Sequence, residues 1–333
     1  MTMIKKLMLT LLVVLLSTGV TFAKTEIKLA HSAPPIGDKT QIACQAFKTY
    51  VEAATNNEVI VNIFPNNQLG NEREMLEGVQ MGTVEMTAIT TGTFPTIFPE
   101  IMVLDLPYLF SSSEVAWKVL DGSFGDKLSK SFLDKTGINL LAFGENGYRN
   151  FTNSVKAIKT PADLKGMKIR TMENPIHLEM MRSMGAIPTP IPYGELYTAM
   201  AQGVVDGQEN PNSLIKASKF YEVQKYVTAD GHIYTPHALL ISDSYLQGLS
   251  KDVQKVILAG AKIWQSTHRE HSVKQNNEGL EFLKSAGMNV HIINEEELQQ
   301  FRSATSAVLP MIEKEVGKDL VQEALAATKK AEQ

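Results

Sequence analysis

Met167-Lys-Ile-Arg170-Thr-Met-Glu-Asn174-Pro175 and Val204-Val-Asp-Gly-Gln-Glu-Asn210-Pro211 are the two stretches that decide the fold class. Each runs from a short apolar or β-branched segment into a helix start. In the first, Lys168–Thr171 closes a strand, and Asn174 as N-cap with Pro175 at the first helical position opens a helix, because Asn accepts from the unpaired first-turn amides and Pro has no amide to lose. In the second, a strand over Val204–Gln208 is followed by Glu209, Asn210 and Pro211. Arg170 therefore lies where a strand ends and a helix begins. In open α/β sheets that carboxyl-end crevice is where ligands bind, and helix N-termini there favour anions. Guanidinium is a planar fork that grips a carboxylate through two parallel hydrogen bonds and does not deprotonate. Arg170 is the candidate carboxylate clamp.

Working outward, the same grammar repeats from Glu26 onward. Strands are expected over Glu26–Ala30, Val59–Phe64, Val84–Ile89, Ile138–Phe143 and Ile187–Pro190, and helices over Asp38–Ala54, Asn71–Met81, Pro175–Met184 and Gly194–Gln202. Asn71 with Glu74 three residues on reads as a capping box. Alternation of this kind implies an α/β fold on a parallel sheet. No repeat and no Ser/Gly-rich linker marks a boundary, so the domains are expected to be discontinuous. Lys251–Lys284 is nearly free of breakers and keeps apolar residues at helical spacing. A single helix of that length, about 50 Å at 1.5 Å per residue, is long enough to brace two lobes; two helices broken near Gly279 are the alternative.

The 333 residues accommodate about two domains, and 44% apolar composition suffices for packed cores. A net charge of −4 supplies no basic field for a nucleic-acid backbone or an anionic membrane. Cys44 is the only cysteine, which excludes an intrachain disulfide and any thiolate-rich metal site; its apolar neighbours suggest a buried thiol. Lys5 and Lys6, the apolar run Leu7–Leu16 and the small residues Ser17–Ala23 compose a cleavable secretory signal over residues 1–23. Its removal takes two lysines and no acid, moving the balance from −4 to −6, and the expected address is the periplasm. The nucleophile-elbow, phosphate-loop, dinucleotide and H-E-x-x-H zinc motifs are missing from the sequence. His268 and His271, three apart, are better read as a solvated helix face than as a metal pair, and no cofactor or metal is expected.

Asp163-Leu-Lys-Gly-Met-Lys-Ile-Arg170, Gly185-Ala-Ile-Pro-Thr-Pro190, Gly194-Glu-Leu-Tyr197 and Val205-Asp-Gly-Gln-Glu-Asn-Pro211 together resemble the solute-binding proteins of TRAP transporters, the tripartite ATP-independent periplasmic family. The resemblance extends to Gln68-Leu-Gly70, Leu106-Pro-Tyr108, Gly147-Tyr-Arg149 and Phe220–Lys225 and so covers nearly the whole chain after the signal. It implies a two-lobed Venus-flytrap α/β fold with a long bracing helix. Lobe I would take residues 24–146 and 236–275, and lobe II residues 147–235 and 276–333. It implies that Arg170 pairs with the substrate carboxylate, that Asn210 hydrogen-bonds beside it, that Arg149 is a second arginine of the site and that Tyr193 lies against the ligand. Glu72 resembles a polar contact from the other lobe, with a helix-dipole role as the alternative. Thr90 and Thr91 stand where the sialic-acid-binding branch carries an acid, and with Asn174 they suit ligand hydroxyls. His31, His232, Tyr234 and His237 lie at plausible cleft-facing ends.

Two buried arginines need anionic charge, from the ligand or from Glu72. The implied function is capture of a C4-dicarboxylate or sugar acid by a monomer that delivers it to the small and large subunits of an ion-gradient-driven permease. A receptor for an ATP-driven importer and a secreted α/β enzyme are the alternatives.

Overall fold

Thr25–Ala30 (β1), Val59–Phe64 (β2), Met86–Thr90 (β3), Ile138–Asn153 (β4), Lys168–Thr171 (β5), Ile187–Pro190 (β6), Gly207–Asn210 (β7), Tyr226–Ser242 (β8) and Asn289–Ile292 (β9) form one sheet in the order β2-β1-β3-β8-β4-β7-β5-β6, with β9 paired to β8. The computed structural model describes residues 24–333, so the signal-peptide expectation lies outside the described residues. The α/β class holds, but the sheet is mixed rather than parallel. β1, β2 and β3 are parallel at one end and β5, β6 and β7 at the other, while the 16-residue β4 and the 17-residue β8 run antiparallel between them.

This central pair is what the sequence conceals. Only Ile138–Phe143 of β4 reads as a strand, because the continuation carries glycines and the buried polar residues Glu145, Asn146, Arg149 and Asn150. Its register against β8 shifts between Leu140 and Ala142, between Glu145 and Gly147 and between Arg149 and Phe151. Such bulges bend a strand and re-aim its side chains. A second correction concerns β7, which runs over Gly207–Asn210 instead of Val204–Gln208. Asp206 is held before the strand by accepting the Lys168 amide on Oδ2 at 2.8 Å. Glu209 and Asn210 therefore sit inside the strand, with Phe151 and Asn150 of β4 opposite them.

Apolar faces are buried in three clusters. Ile27, Leu29 and Val61 pack with Phe47 and Trp264 on one face of the sheet. Leu196, Met200, Phe220 and Leu283 cluster near β7 and β9. A larger cluster reaches from Met75 and Phe94 to Ile169, Met180 and Phe301 and joins both ends of the sheet. Asn71 caps the helix Glu72–Met81 as expected: its side chain accepts the Glu74 amide, and Glu74 accepts the Asn71 amide at 2.7 Å.

The long segment is one unbroken helix, Lys251–Ser285. Gly279 is no break. A Cβ there would stand 2.8 Å from the Asn212 side chain, so the glycine permits close approach of the helix Asn212–Ala217. At the other end, Trp264, His268 and Ser272 follow one another at helical spacing against β4. His268 is fully buried, a correction to the solvated-face expectation. Its Nδ1 accepts the Glu145 amide at 3.2 Å, and its ring lies 4.7 Å from the Trp264 ring, where Gly144 leaves space for both. The helix crosses a bulged central strand whose free amide needs an acceptor, and that position cannot be read from helical periodicity.

Candidate functional site

The carboxyl end of β5 and the neighbouring strands enclose a small chamber. Ser32, Glu72 and Thr90 line it from the β1–β3 end of the sheet, Asn146, Arg149 and His237 from the central pair, and Arg170, Met172, Tyr193, Asn210 and Leu214 from the other end. The inner chamber measures about 20 Å³ and an adjoining groove about 260 Å³. Glu72, Arg170, Met172 and Tyr193 line both and form the passage between them. An organic acid of several carbons exceeds the inner chamber alone, which holds little more than one water, so binding requires the two spaces to merge.

Arg170 is buried, and its Nε donates to the Ile191 carbonyl at 2.8 Å. That bond orients the side chain and leaves the two terminal nitrogens without a hydrogen-bond partner among the described residues. Burial pulls the guanidinium down to about 10, against the opposing pull of Glu209, so it remains charged at neutral pH. A buried cation whose one hydrogen-bond acceptor is neutral is chemically suited to receive an anion, because a buried charge without a close counter-charge is costly.

Arg149 is already paired. Its Nε and Nη2 donate to both carboxylate oxygens of Glu209, and Nη2 also donates to the Glu209 carbonyl at 2.6 Å. This overturns the expectation that Glu72 or the ligand must neutralise Arg149. Glu209 was visible within the Gln-Glu-Asn-Pro motif, but placing it at a strand-to-helix corner hid its inward orientation. Burial alone would raise the Glu209 carboxyl; Arg149, with His177 and His232, outweighs it and holds the group well below the usual carboxylate range.

Behind the pair, His232 bonds Asp230 through Nδ1 at 2.7 Å and approaches Glu209 through Nε2 at 3.4 Å, with its ring stacked on Phe151. His177 stands 3.5 Å from Asp105 and 3.8 Å from Glu209, near enough for charge but not for short hydrogen bonds. Burial pushes His232 down, yet Asp230 and Glu209 prevail and lift it to about 9. The unfolded value is near 6.5. The stabilisation from this group is therefore complete below about pH 6.5 and disappears as pH rises through about 9. Denaturant titrations of the wild type and His232→Gln at several pH values should show the wild-type advantage shrinking between pH 6.5 and 9; a constant difference contradicts the coupling.

The other expected residues divide. Asn210 lines the chamber and donates from Nδ2 to Gln208 Oε1 at 2.6 Å. Tyr193 lines it while its hydroxyl bonds Ser218 Oγ, and Glu72 accepts from Ser32 Oγ at 2.7 Å. Burial raises the Glu72 carboxyl against the opposing pull of Ser32 and Arg170. Thr90 and His237 also face the chamber.

Two expected ligand contacts are corrected. Thr91 is buried outside the chamber lining and donates to the Pro236 carbonyl at 3.3 Å. Asn174 is the expected N-cap, accepting from the Ile176 amide at 2.9 Å, but its Nδ2 is spent on Gly92 O at 3.0 Å and Asp105 Oδ2 at 2.7 Å, so it fastens backbone instead of facing a ligand. His31, His232 and Tyr234 are likewise off the chamber wall: His31 bonds Gln41 at 2.8 Å and Tyr234 donates to Glu145 at 3.3 Å. Ser32, Asn146 and Met172 went unnoticed in the sequence, where nothing in their local pattern sets them apart.

Residues 29–315 match the model for bacterial extracellular solute-binding proteins, family 7. The chain is 35% identical to the 2,3-diketo-L-gulonate-binding periplasmic protein YiaO of Escherichia coli strain K12, over 76% of this chain and 77% of that protein. It is 33% identical to the C4-dicarboxylate-binding periplasmic protein DctP of Rhodobacter capsulatus, over 92% and 90%. The solved structure of the sugar acid binding protein DctPAm from Advenella mimigardefordensis strain DPN7T, in complex with galactonate, is similar at TM-score 0.90 and 35% identity, covering 93% of this chain and all of that one.

Proposed function

Because the chain belongs to family 7 of the bacterial extracellular solute-binding proteins, the two-lobed binding components of TRAP transporters, we propose that it captures an organic acid by its carboxylate on Arg170 and delivers it to the membrane permease. The observation that carries this assignment is the buried Arg170 fork, anchored only through Nε and facing an enclosed chamber. The relatives YiaO, DctP and DctPAm are named for binding a diketo sugar acid, C4-dicarboxylates and sugar acids. Arg170 holds the carboxylate, Asn210 and Tyr193 flank it, Thr90 and Glu72 meet the remainder of the ligand, and Arg149 acts with Glu209 as a rigid wall. The protein binds without transforming its ligand.

The family is periplasmic, and we read residues 1–23 as the signal removed on export. The lobes are taken as residues 24–146 with 236–275 and residues 147–235 with 276–333, with β4 and β8 passing between them. Hinge bending at these strands merges the inner chamber with its groove, and closure excludes water around the ion pair, which strengthens it.

A thermal-shift panel of small organic acids, neutral sugars and amines tests this reading. Melting temperature should rise with carboxylates and stay unchanged with the rest, since a ligand of the native state stabilises in proportion to the logarithm of its concentration over Kd. Stabilisation by an uncharged sugar with none by any acid overturns it.

A further inference from the structure

Of the four side chains that form the passage between the inner chamber and its groove, three are tied down. Arg170 donates from Nε to the Ile191 carbonyl at 2.8 Å, Glu72 accepts from Ser32 Oγ at 2.7 Å, and the Tyr193 hydroxyl bonds Ser218 Oγ. Met172 is the fourth. Its thioether is at most a weak acceptor, so nothing polar fixes its tip. Met172 is buried, yet it belongs to none of the three apolar clusters. Methionine is unbranched, with three rotatable bonds, and adapts to irregular space more readily than stiffer apolar residues.

The tip nevertheless has a seat. Met172 follows β5 directly and Gly92 lies just beyond β3, while β8, β4 and β7 stand between those two strands in the sheet. The side chain thus reaches from one end of the sheet to a loop of the other. A Cβ at residue 92 would fall 2.9 Å from the Met172 Sδ and closer still to its Cε, so glycine there lets the tip lie against the backbone. Gly92 is not among the residues of positive φ, and its small size is therefore required by this contact and not by its conformation. Asn174, two residues past Met172, donates from Nδ2 to the Gly92 carbonyl at 3.0 Å and holds the seat in place.

We propose that Met172 is a movable gate: seated on Gly92 its tip divides the chamber from the groove, its rotation joins them, and residue 172 thereby sets the length of the acid that the site encloses. The inference rests on carboxylate capture by Arg170. With the carboxylate fixed at Arg170, which lines both spaces, the rest of the acid runs through the passage. Glu72, Arg170 and Tyr193 can yield to it only by giving up a hydrogen bond, which leaves a buried polar group unsatisfied. Met172 yields by rotation and gives up only dispersion contacts with Gly92. Each further carbon of the acid drives the tip farther from its seat, so the cost of opening grows with chain length.

The test is calorimetric titration of the wild type and Met172→Ala with two pairs of acids, each a short and a long member of one chemical series: D-glycerate with D-gluconate, and succinate with adipate. In whichever pair the wild type binds, Met172→Ala should raise the affinity for the long acid relative to the short one by at least about fivefold. A residue with only a packing role would weaken both alike. Wild-type protein labelled with 13C-methyl methionine gives a second reading, the Met172 methyl being identified through the volume-conserving Met172→Leu. The long acid of the pair should shift that resonance more than the short one. An unchanged length ratio in folded Met172→Ala, or a Met172 methyl that responds no more to the long acid than to the short, overturns the gate while leaving carboxylate capture standing. Binding of none of the four acids overturns carboxylate capture and the gate together. The methyl reading is decisive even if Met172→Ala fails to fold.

Discussion

Glu209→Ala is expected to lower the unfolding free energy by about 3–5 kcal/mol, the usual consequence of removing one partner of a fully buried ion pair. The variant leaves the Arg149 guanidinium inside the sheet with only the residue-209 carbonyl to accept from it, and it removes one of the two carboxylates beside each of His177 and His232. Denaturant unfolding measures the loss. Replacing both partners by apolar residues, Glu209→Leu with Arg149→Met, should recover a substantial part of it, because the penalty arises from the stranded charge more than from the lost attraction. A cost under about 1 kcal/mol for Glu209→Ala would show that solvent reaches Arg149, and the rigid-wall account of this arginine would fail.

Arg170→Ala should abolish most of the affinity for carboxylate ligands while leaving the fold intact. Truncating one partner of a buried, hydrogen-bonded charge pair costs about 2–5 kcal/mol, or roughly 30-fold to several thousandfold in Kd. Without ligand the same change should be neutral or stabilising, since Arg170 pays desolvation with only one hydrogen bond in return. Arg170→Lys keeps the charge and loses the planar fork, so more than tenfold of the affinity should go. Titration calorimetry beside thermal unfolding separates the two effects. Reduced stability with unchanged affinity would mark Arg170 as a structural residue and move the carboxylate site elsewhere in the chamber.

The two positions differ in how legible they were. Arg170 could be nominated from local grammar, because a strand that ends in a basic residue and leads into an Asn-Pro helix start places that side chain at the carboxyl edge of the sheet, but that position equally suits a surface arginine and the family resemblance was needed to choose between them. Arg149 could be recognised as a residue of interest, but its pairing with Glu209 could not, since it depends on how β7 registers against a bulged β4. A shift of one residue turns every side chain of a strand to the other face. Reading β7 as ending at Gln208 thus turned Glu209 from a buried counter-ion into a corner residue. Asn174 illustrates the converse: its capping role is local and was foreseen, whereas the partners that occupy its amide, Gly92 and Asp105, come from distant chain and removed it from the candidate ligand contacts.

Short-range periodicity and capping chemistry by themselves determined the parallel edge strands, the helix starts at Asn71 and Asn174, the helical character of Lys251–Lys284 and the place of Arg170 at a strand end, because these depend on residues within a few positions of one another. The tertiary structure alone decided the antiparallel β4–β8 pair, the burial of His268 and the Arg149–Glu209 pairing. The reason is dielectric as well as geometric: buried glycines, acids and amides break the apolar pattern that announces a strand, and only a folded interior that supplies each of them with a partner makes that strand tenable.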